Sequence, residues 1–259
     1  MKRSTIHIAM AVLLTCGMSS AQAGIAPPSI GLSARAEVVA SGIGETDFNN
    51  SSTPAVADKI FSNGGVSGEA HAIADYGILK ASATLTKAPG VEPFNFGTGE
   101  AIFSEVLTIT GGTGTSTIAF HFKNTGSLSV PGGNGAEATS ELNVFFTDGS
   151  FQSDNQQYLI NSGNSEIIDD SFTTTAFNFT YGVPFSFDVR LTANVSLEET
   201  DAGTVTSDFF NTAEIEFVEV GGDPIEISVT SDSGTIYAVP EPATALIVGA
   251  GLLLWGRRR

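Results

Sequence analysis

Residues 185–197 read FSFDVRLTANVSL, and this stretch decides the fold class. From Phe185 to Leu191 the apolar side chains occupy every second position. That spacing places one face of a β-strand against a core and leaves the other face in water, whereas an α-helix needs apolar residues three and four apart. The stretch is therefore predicted to be a half-buried strand.

Similar short segments, separated by turn-forming residues, occur throughout residues 24–238. No stretch of ten or more residues outside the two ends shows convincing helical spacing. About a dozen short strands predict an all-β fold, a two-sheet β-sandwich that is jelly-roll-like, with a barrel as the alternative. The predicted strands are 32–40, 67–74, 78–86, 101–110, 115–123, 137–147, 158–160, 176–181, 185–197, 212–220, 225–230 and 235–239.

Glycine and proline occur in the predicted turns and loops between these strands. Strands 67–74 and 78–86 flank a short break and predict a hairpin, and strands 101–110 and 115–123 flank the Gly-Gly-Thr-Gly run at 111–114, a glycine-rich hairpin connection. A polar loop is expected through Asp169-Asp170. Residues 24–65 contain three prolines and a polar run, so outside strand 32–40 we expect this segment to be loop-rich.

Charge and cysteine content exclude several classes of function. The formal net charge is −17, and residues 24–242 alone carry all 28 acidic residues and six basic ones, a net charge of −22. This argues against a nucleic-acid partner, because phosphate binding needs clustered lysine and arginine. The single cysteine, Cys16, lies in a segment that we expect to be removed, which leaves the mature protein without disulfides or thiol chemistry.

The amino-terminal 23 residues predict a secretory signal peptide. Lys2 and Arg3 precede a short apolar stretch, and Ala21-Gln22-Ala23 forms a small-residue cleavage site for signal peptidase. The apolar stretch, residues 6–14, is too short to span a bilayer. Lipoprotein processing at Cys16 is a less favoured alternative, since threonine precedes the cysteine.

The carboxyl-terminal residues 239–259, VPEPATALIVGAGLLLWGRRR, predict a short membrane anchor. As a helix, residues 243–256 would measure about 21 Å against a hydrocarbon core of about 30 Å. Trp255 suits the membrane interface, and Arg257, Arg258 and Arg259 favour the cytoplasmic side, which leaves the body outside. Such a weak anchor suits transient membrane attachment.

This tail resembles the PEP-CTERM sorting signal of exported proteins from Gram-negative bacteria. Pro240, Glu241 and Pro242 match its motif, residues 243–255 its helix and residues 257–259 its basic end. The resemblance implies cleavage near the motif by exosortase, a membrane transpeptidase-like enzyme, and release or attachment outside the cell, often alongside exopolysaccharide and biofilm genes. Two body segments, DFFNTA at 208–213 and SGTIY at 233–237, also resemble proteins of this group, whose β-rich bodies have no assigned function.

Residues 24–238 offer few candidates for chemistry. His71 and His121 alternate with apolar residues, so we expect them to be ordinary strand residues without a catalytic role. Adjacent acidic residues could serve a glycosidase but are expected to be solvated. Calcium prefers oxygen ligands, and the candidate ligands for a calcium ion are Asp169, Asp170, Glu199 and Asp201.

These observations predict a non-enzymatic, exported surface or extracellular-matrix protein associated with exopolysaccharide or biofilm. Its expected partners are signal peptidase, exosortase and exopolysaccharide. The alternatives are a calcium-stabilised carbohydrate-binding module and, less favoured, a glycan-active enzyme with two carboxylates facing one groove.

Overall fold

A computed structural model describes residues 31–40, 43–51, 53–91, 94–132, 135–147, 151–161, 163–198, 201–221 and 227–239. These residues form two antiparallel sheets and no helix, which confirms the all-β prediction and is consistent with a β-sandwich. The strands are β1 (Gly31–Ala40), β2 (Ile43–Asn49), β3 (Ala55–Asn63), β4 (Val66–Asp75), β5 (Ile78–Lys87), β6 (Asn95–Thr110), β7 (Thr115–Ser129), β8 (Glu137–Thr147), β9 (Phe151–Asn161), β10 (Ser165–Thr173), β11 (Phe177–Thr180), β12 (Phe185–Leu197), β13 (Gly203–Val220) and β14 (Ser228–Ser231).

The predicted signal peptide, 1–23, and all but the first residue of the predicted tail, 239–259, lie outside the described residues. Nowhere in the described ranges is there a helix with the length and apolarity needed to cross a membrane.

Each sheet contains seven strands. The first, sheet A, has the order β2-β1-β6-β12-β8-β9, and β14 also pairs with β6. The second, sheet B, has the order β10-β7-β13-β5-β4-β3, and β11 also pairs with β7. Strand β12 lies in the interior of sheet A, and its residues alternate between buried and half-buried along its whole length, as the sequence predicted.

The core between the sheets changes from small to large side chains across the sandwich. Around β1, β3, β4, β5 and the first half of β6, the inward residues are mostly alanine and glycine. Around β7, β8, β11 and the first half of β12, the inward residues include most of the core phenylalanines: Phe120, Phe122, Phe146, Phe177, Phe179, Phe185 and Phe187. The rings of Phe120 and Phe187, from opposite sheets, stack with their centroids 4.6 Å apart. The sandwich is thus filled by rings in one part and closes nearly to backbone contact in the other.

Gly99 on β6 marks a close approach of the two sheets. A methyl group built on it would lie 2.7 Å from the backbone oxygen of Ser82 in sheet B and closer still to that of His71. Its neighbours in sheet A, Ala36 and Ala193, are also small and fully buried. Glycine is required here because the opposite backbone occupies the space of a side chain.

Residues 43–49 and 55–63 correct the prediction that most of 24–65 is loop. They form β2 and β3, which are edge strands of the two sheets. An edge strand packs little apolar surface, so the usual alternation is weak: every residue of β2 is at least partly exposed, and the inward positions of β3 begin with Ala55 and Ala57. These strands are held mainly by pairing with β1 and β4.

The structure corrects three further predictions. Strands β6 and β7 do not form a hairpin, because β6 pairs with β1 and β12 while β7 pairs with β10 and β13, so the loop 111–114 crosses between sheets. Residues 165–173, predicted to be a polar loop, form edge strand β10. Residues 235–239, predicted to be a strand, belong to neither sheet. The hairpin of β4 and β5 is confirmed.

Candidate functional site at the carboxyl-terminal strap

Within the last described segment, residues 228–239 lie directly before the Pro-Glu-Pro motif in the chain; we call them the strap. It begins as β14, which pairs with β6 from Ser228 opposite Thr110 to Ser231 opposite Leu107. The chain then turns at Gly234, whose φ of 81° suits glycine. It continues to Val239, which packs against the core.

A buried glutamate on β6 holds this turn. Glu105 is fully inaccessible to solvent and occupies the inward register of β6, between the core residues Phe103 and Leu107. Its Oε1 accepts hydrogen bonds from the backbone N–H groups of Val106 and Ser233, each at 3.1 Å, and its Oε2 accepts one from the Ser233 hydroxyl. A buried carboxylate is costly unless donors surround it, and the strap supplies two of these three.

Hydrogen bonds within the strap stiffen the same turn. The Ser231 hydroxyl donates to the backbone oxygen of Thr235 at 2.8 Å, and the Thr235 N–H donates to Ser233 Oγ at 3.1 Å. The Asp232 N–H donates to the backbone oxygen of Val106 at 3.1 Å. The turn is therefore tied both to itself and to β6.

Tyr237 fixes the remainder of the strap to the core. Its ring is buried and lies edge-to-face against Phe187, with the centroids 6.1 Å apart. One residue later, the backbone oxygen of Ala238 accepts a hydrogen bond of 2.8 Å from the Val218 N–H of β13. Burial, together with the negative charge of Glu105, raises the pKa of the Tyr237 phenol, so the ring stays neutral beside the carboxylate.

Burial and the charge of Glu105 likewise raise the pKa of Tyr76, which lies in the β4–β5 turn. The site is thus a fully bonded carboxylate flanked by two neutral phenols. Its chemistry is that of a fixed attachment, since two of the three donors to Glu105 belong to the strap and hold it to β6.

The two body segments singled out by resemblance both have structural roles. SGTIY at 233–237 is the part of the strap that binds Glu105 and inserts Tyr237. DFFNTA at 208–213 contains a β-bulge, where the pairing of β13 with β5 shifts between Phe209 and Ala213. Phe209 points into the core and stacks on Tyr158, whereas Phe210 lies over His71 and Lys80 on the outer face.

Both histidines lie on the outer face of sheet B, as predicted from their alternation. Nδ1 of His71 lies 2.7 Å from Oδ1 of Asp58, and Ser82 stands opposite on β5. These three residues form a row across β3, β4 and β5, and they are the residue types of a catalytic triad. No hydrogen bond joins Ser82 to His71 among the described residues, and the row lies on an open sheet face, so the geometry does not activate the serine.

His121 has an equivalent setting on β7. It bridges Thr173, at 2.9 Å from Nδ1, and Glu219, at 3.1 Å from Nε2, while its ring stacks on Phe217. These contacts join three neighbouring strands. They account for the residue as part of the sheet surface.

Among the described residues, the calcium candidates Asp169, Asp170 and Asp201 do not form one cluster. Asp169 forms an ion pair of 2.5 Å with Lys123, and Asp170 accepts hydrogen bonds of 3.2 Å from Gln156 and Tyr158 across the β9–β10 edge. Asp201 is buried in the loop before β13, far along the sheet, and Glu199 lies outside the described residues. Across the described ranges, no three His, Cys, Asp or Glu side chains are placed to share a metal ion.

The predicted processing residues also lie outside the described part of the chain: Ala21, Ala23, Pro240, Glu241, Pro242, Trp255, Arg257, Arg258 and Arg259. Sequence reasoning missed Glu105. The signal that identifies it is its register, because a glutamate at an inward position between Phe103 and Leu107 must have a buried partner.

A scan against protein-family models finds no match for this chain, and a search of curated proteins finds no significantly similar sequence.

Proposed function

We propose that this chain is a non-enzymatic, exported surface or extracellular-matrix protein that exosortase sorts and cleaves through its carboxyl-terminal signal. One observation carries the proposal: the order of a Pro-Glu-Pro motif, an apolar stretch and three arginines, Pro240–Arg259, behind an amino-terminal signal. The strap supports it, because the folded body is fastened up to Val239 and the motif begins at the next residue. The body and the processing signal are thus adjacent in the chain without a long linker.

The two ends of the chain give the same orientation. Signal peptidase would cut after Ala23, while the helix at 243–256 and the arginines at 257–259 would keep the other end in the membrane with the body outside. Cleavage near Pro240–Pro242 would then free the body. An acidic, cysteine-free body suits this environment, since it needs no disulfide and its net charge opposes aggregation.

The finer architecture belongs to the same proposal. We propose that the sandwich is jelly-roll-like, because the chain crosses from one sheet to the other at most connections, including β5 to β6, β6 to β7 and β12 to β13. Jelly rolls alternate between sheets in this way.

The sorting proposal is tested by the intact mass of the extracellular product, with and without a competent exosortase. With exosortase we expect a mass that lacks residues 1–23 and the apolar tail. Glu241→Ala should reduce tail processing, whereas Glu216→Ala, an exposed glutamate on β13, should not. An intact tail on the wild-type chain in the presence of competent exosortase would refute the proposal.

Association with exopolysaccharide is a separate step. Purified extracellular product should co-sediment with the polysaccharide of the producing cells and should stay in the supernatant without it. If the same amount of protein were found in the pellet with and without the polysaccharide, exopolysaccharide would not be a partner.

A further inference from the structure

We infer that the bond between Glu105 and the strap decides where the folded chain can be cut. While Glu105 holds Ser233, the strap is closed to proteases, cleavage is confined to the chain beyond Val239, and the processed body keeps β14. This inference deepens the proposed function and rests on it for the identity of the processing enzyme. It concerns the position of the cut, which the sorting motif alone does not specify.

Three features of the strap would favour cleavage there if it were not held. It lies next to the motif, it contains a glycine in a left-handed conformation, and Ile236 is 92% exposed. A protease must pull several residues into an extended conformation, so a closed segment is cut only after it opens locally. Opening the turn would break the bonds of Ser233 and Asp232 and leave the Glu105 carboxylate without two of its three donors.

Contacts on both sides of the turn oppose local opening of the strap. Before it, β14 is paired with β6; after it, Tyr237 is buried against Phe187 and Ala238 is bonded to Val218. The strap therefore opens only if these neighbouring contacts also yield. Glu105 acts here as a positioning residue, because it determines which peptide bonds are accessible without touching the one that is cut.

The test is limited proteolysis of the purified full-length chain in mild detergent with a broad-specificity protease, read by intact mass. The wild-type product should end at or beyond Val239. Glu105→Ala and Ser233→Ala should yield new ends within 228–239, formed about tenfold faster or more, because a bond to a buried charge is lost. Ser233→Ala lies on the strap itself, so the body folds even if Glu105→Ala does not.

Two matched controls separate protection of the strap from general destabilisation. Glu166→Ala on β10 and Ser129→Ala at the end of β7 remove exposed side chains of the same types and should leave the wild-type product unchanged. A general loss of stability would produce cuts throughout the body, whereas loss of the Glu105 bond should produce them only in the strap. Wild-type cleavage within 228–239 at the rate of the variants would overturn the inference.

A second experiment co-expresses the same variants with exosortase. A shorter product from Ser233→Ala than from wild type would support the inference. Unchanged products, with normal processing, would overturn it and leave the proposed function intact. Absence of any exosortase cleavage, with protection of the strap still seen in proteolysis, would refute the sorting proposal alone.

Discussion

Replacing Gly99 by alanine tests the claim that the two sheets meet almost backbone to backbone. The new methyl group would lie 2.7 Å from the Ser82 oxygen, and a Cβ essentially never approaches another heavy atom within 3.0 Å. The obstacle is the backbone of sheet B, which cannot rotate away as a side chain would. The sheets must therefore separate locally and lose contact among the surrounding alanines.

The expected size of the effect follows from two opposing terms. Overpacking a core by one methyl group costs up to about 3 kcal/mol, while alanine gains about 0.5–1 kcal/mol over glycine in a strand through chain entropy. The net loss in the free energy of unfolding is then about 2 kcal/mol. For a body of this size, that corresponds to a fall in Tm of about 4–8 °C.

Thermal and urea denaturation, followed by circular dichroism, measure this change. Gly132→Ala is the matched control, because a Cβ there meets nothing within 4 Å, and its stability should stay within about 0.5 kcal/mol of wild type. If Gly99→Ala proved as stable as Gly132→Ala, the close approach of the sheets at Gly99 would be refuted.

Two further predictions concern the ring-filled part of the core. Phe187→Ala should cost about 3–5 kcal/mol in urea denaturation, because the ring contacts Phe120 and Tyr237, whereas Phe48→Ala at a half-exposed edge should cost less than about 1 kcal/mol. Burial raises the pKa of Tyr158 to about 12, above its ordinary value of 10.0. The unfolded chain then loses this proton first, so stability should fall as the pH rises from about 10 to 12, and Tyr158→Phe should reduce that fall. Spectrophotometric titration of phenolate checks it, and ionisation of every tyrosine near pH 10 in the folded protein would contradict it.

Strands with large apolar side chains on one face were predictable from the sequence. β12 carries apolar residues at alternate positions and interior pairing on both sides, so pattern and structure coincide. The edge strands were not predictable in this way, since β2 buries no residue and β10 buries only Ile168. Their stability comes from backbone pairing with β1 and β7, which leaves little trace in residue type.

The pairing of strands was the second feature that the sequence did not predict. The Gly-Gly-Thr-Gly loop has the composition of a hairpin, but partners elsewhere in the chain occupy both edges of β6 and β7. Whether a glycine-rich loop joins neighbours or crosses between sheets depends on those distant partners. The strap shows the same dependence, because the role of SGTIY became evident only when Glu105, more than a hundred residues earlier, was placed beside Ser233.

The uneven core also bears on how the chain is made. Synthesis releases β1–β5 first, yet β1 needs β6 and β5 needs β13 before the two sheets can close. During that wait, the inward side chains of these strands are mostly alanine, which expose little apolar area. The strands that carry the core phenylalanines emerge later, from β6 onward. The order of side-chain sizes along the chain thus limits the apolar surface that the incomplete protein exposes.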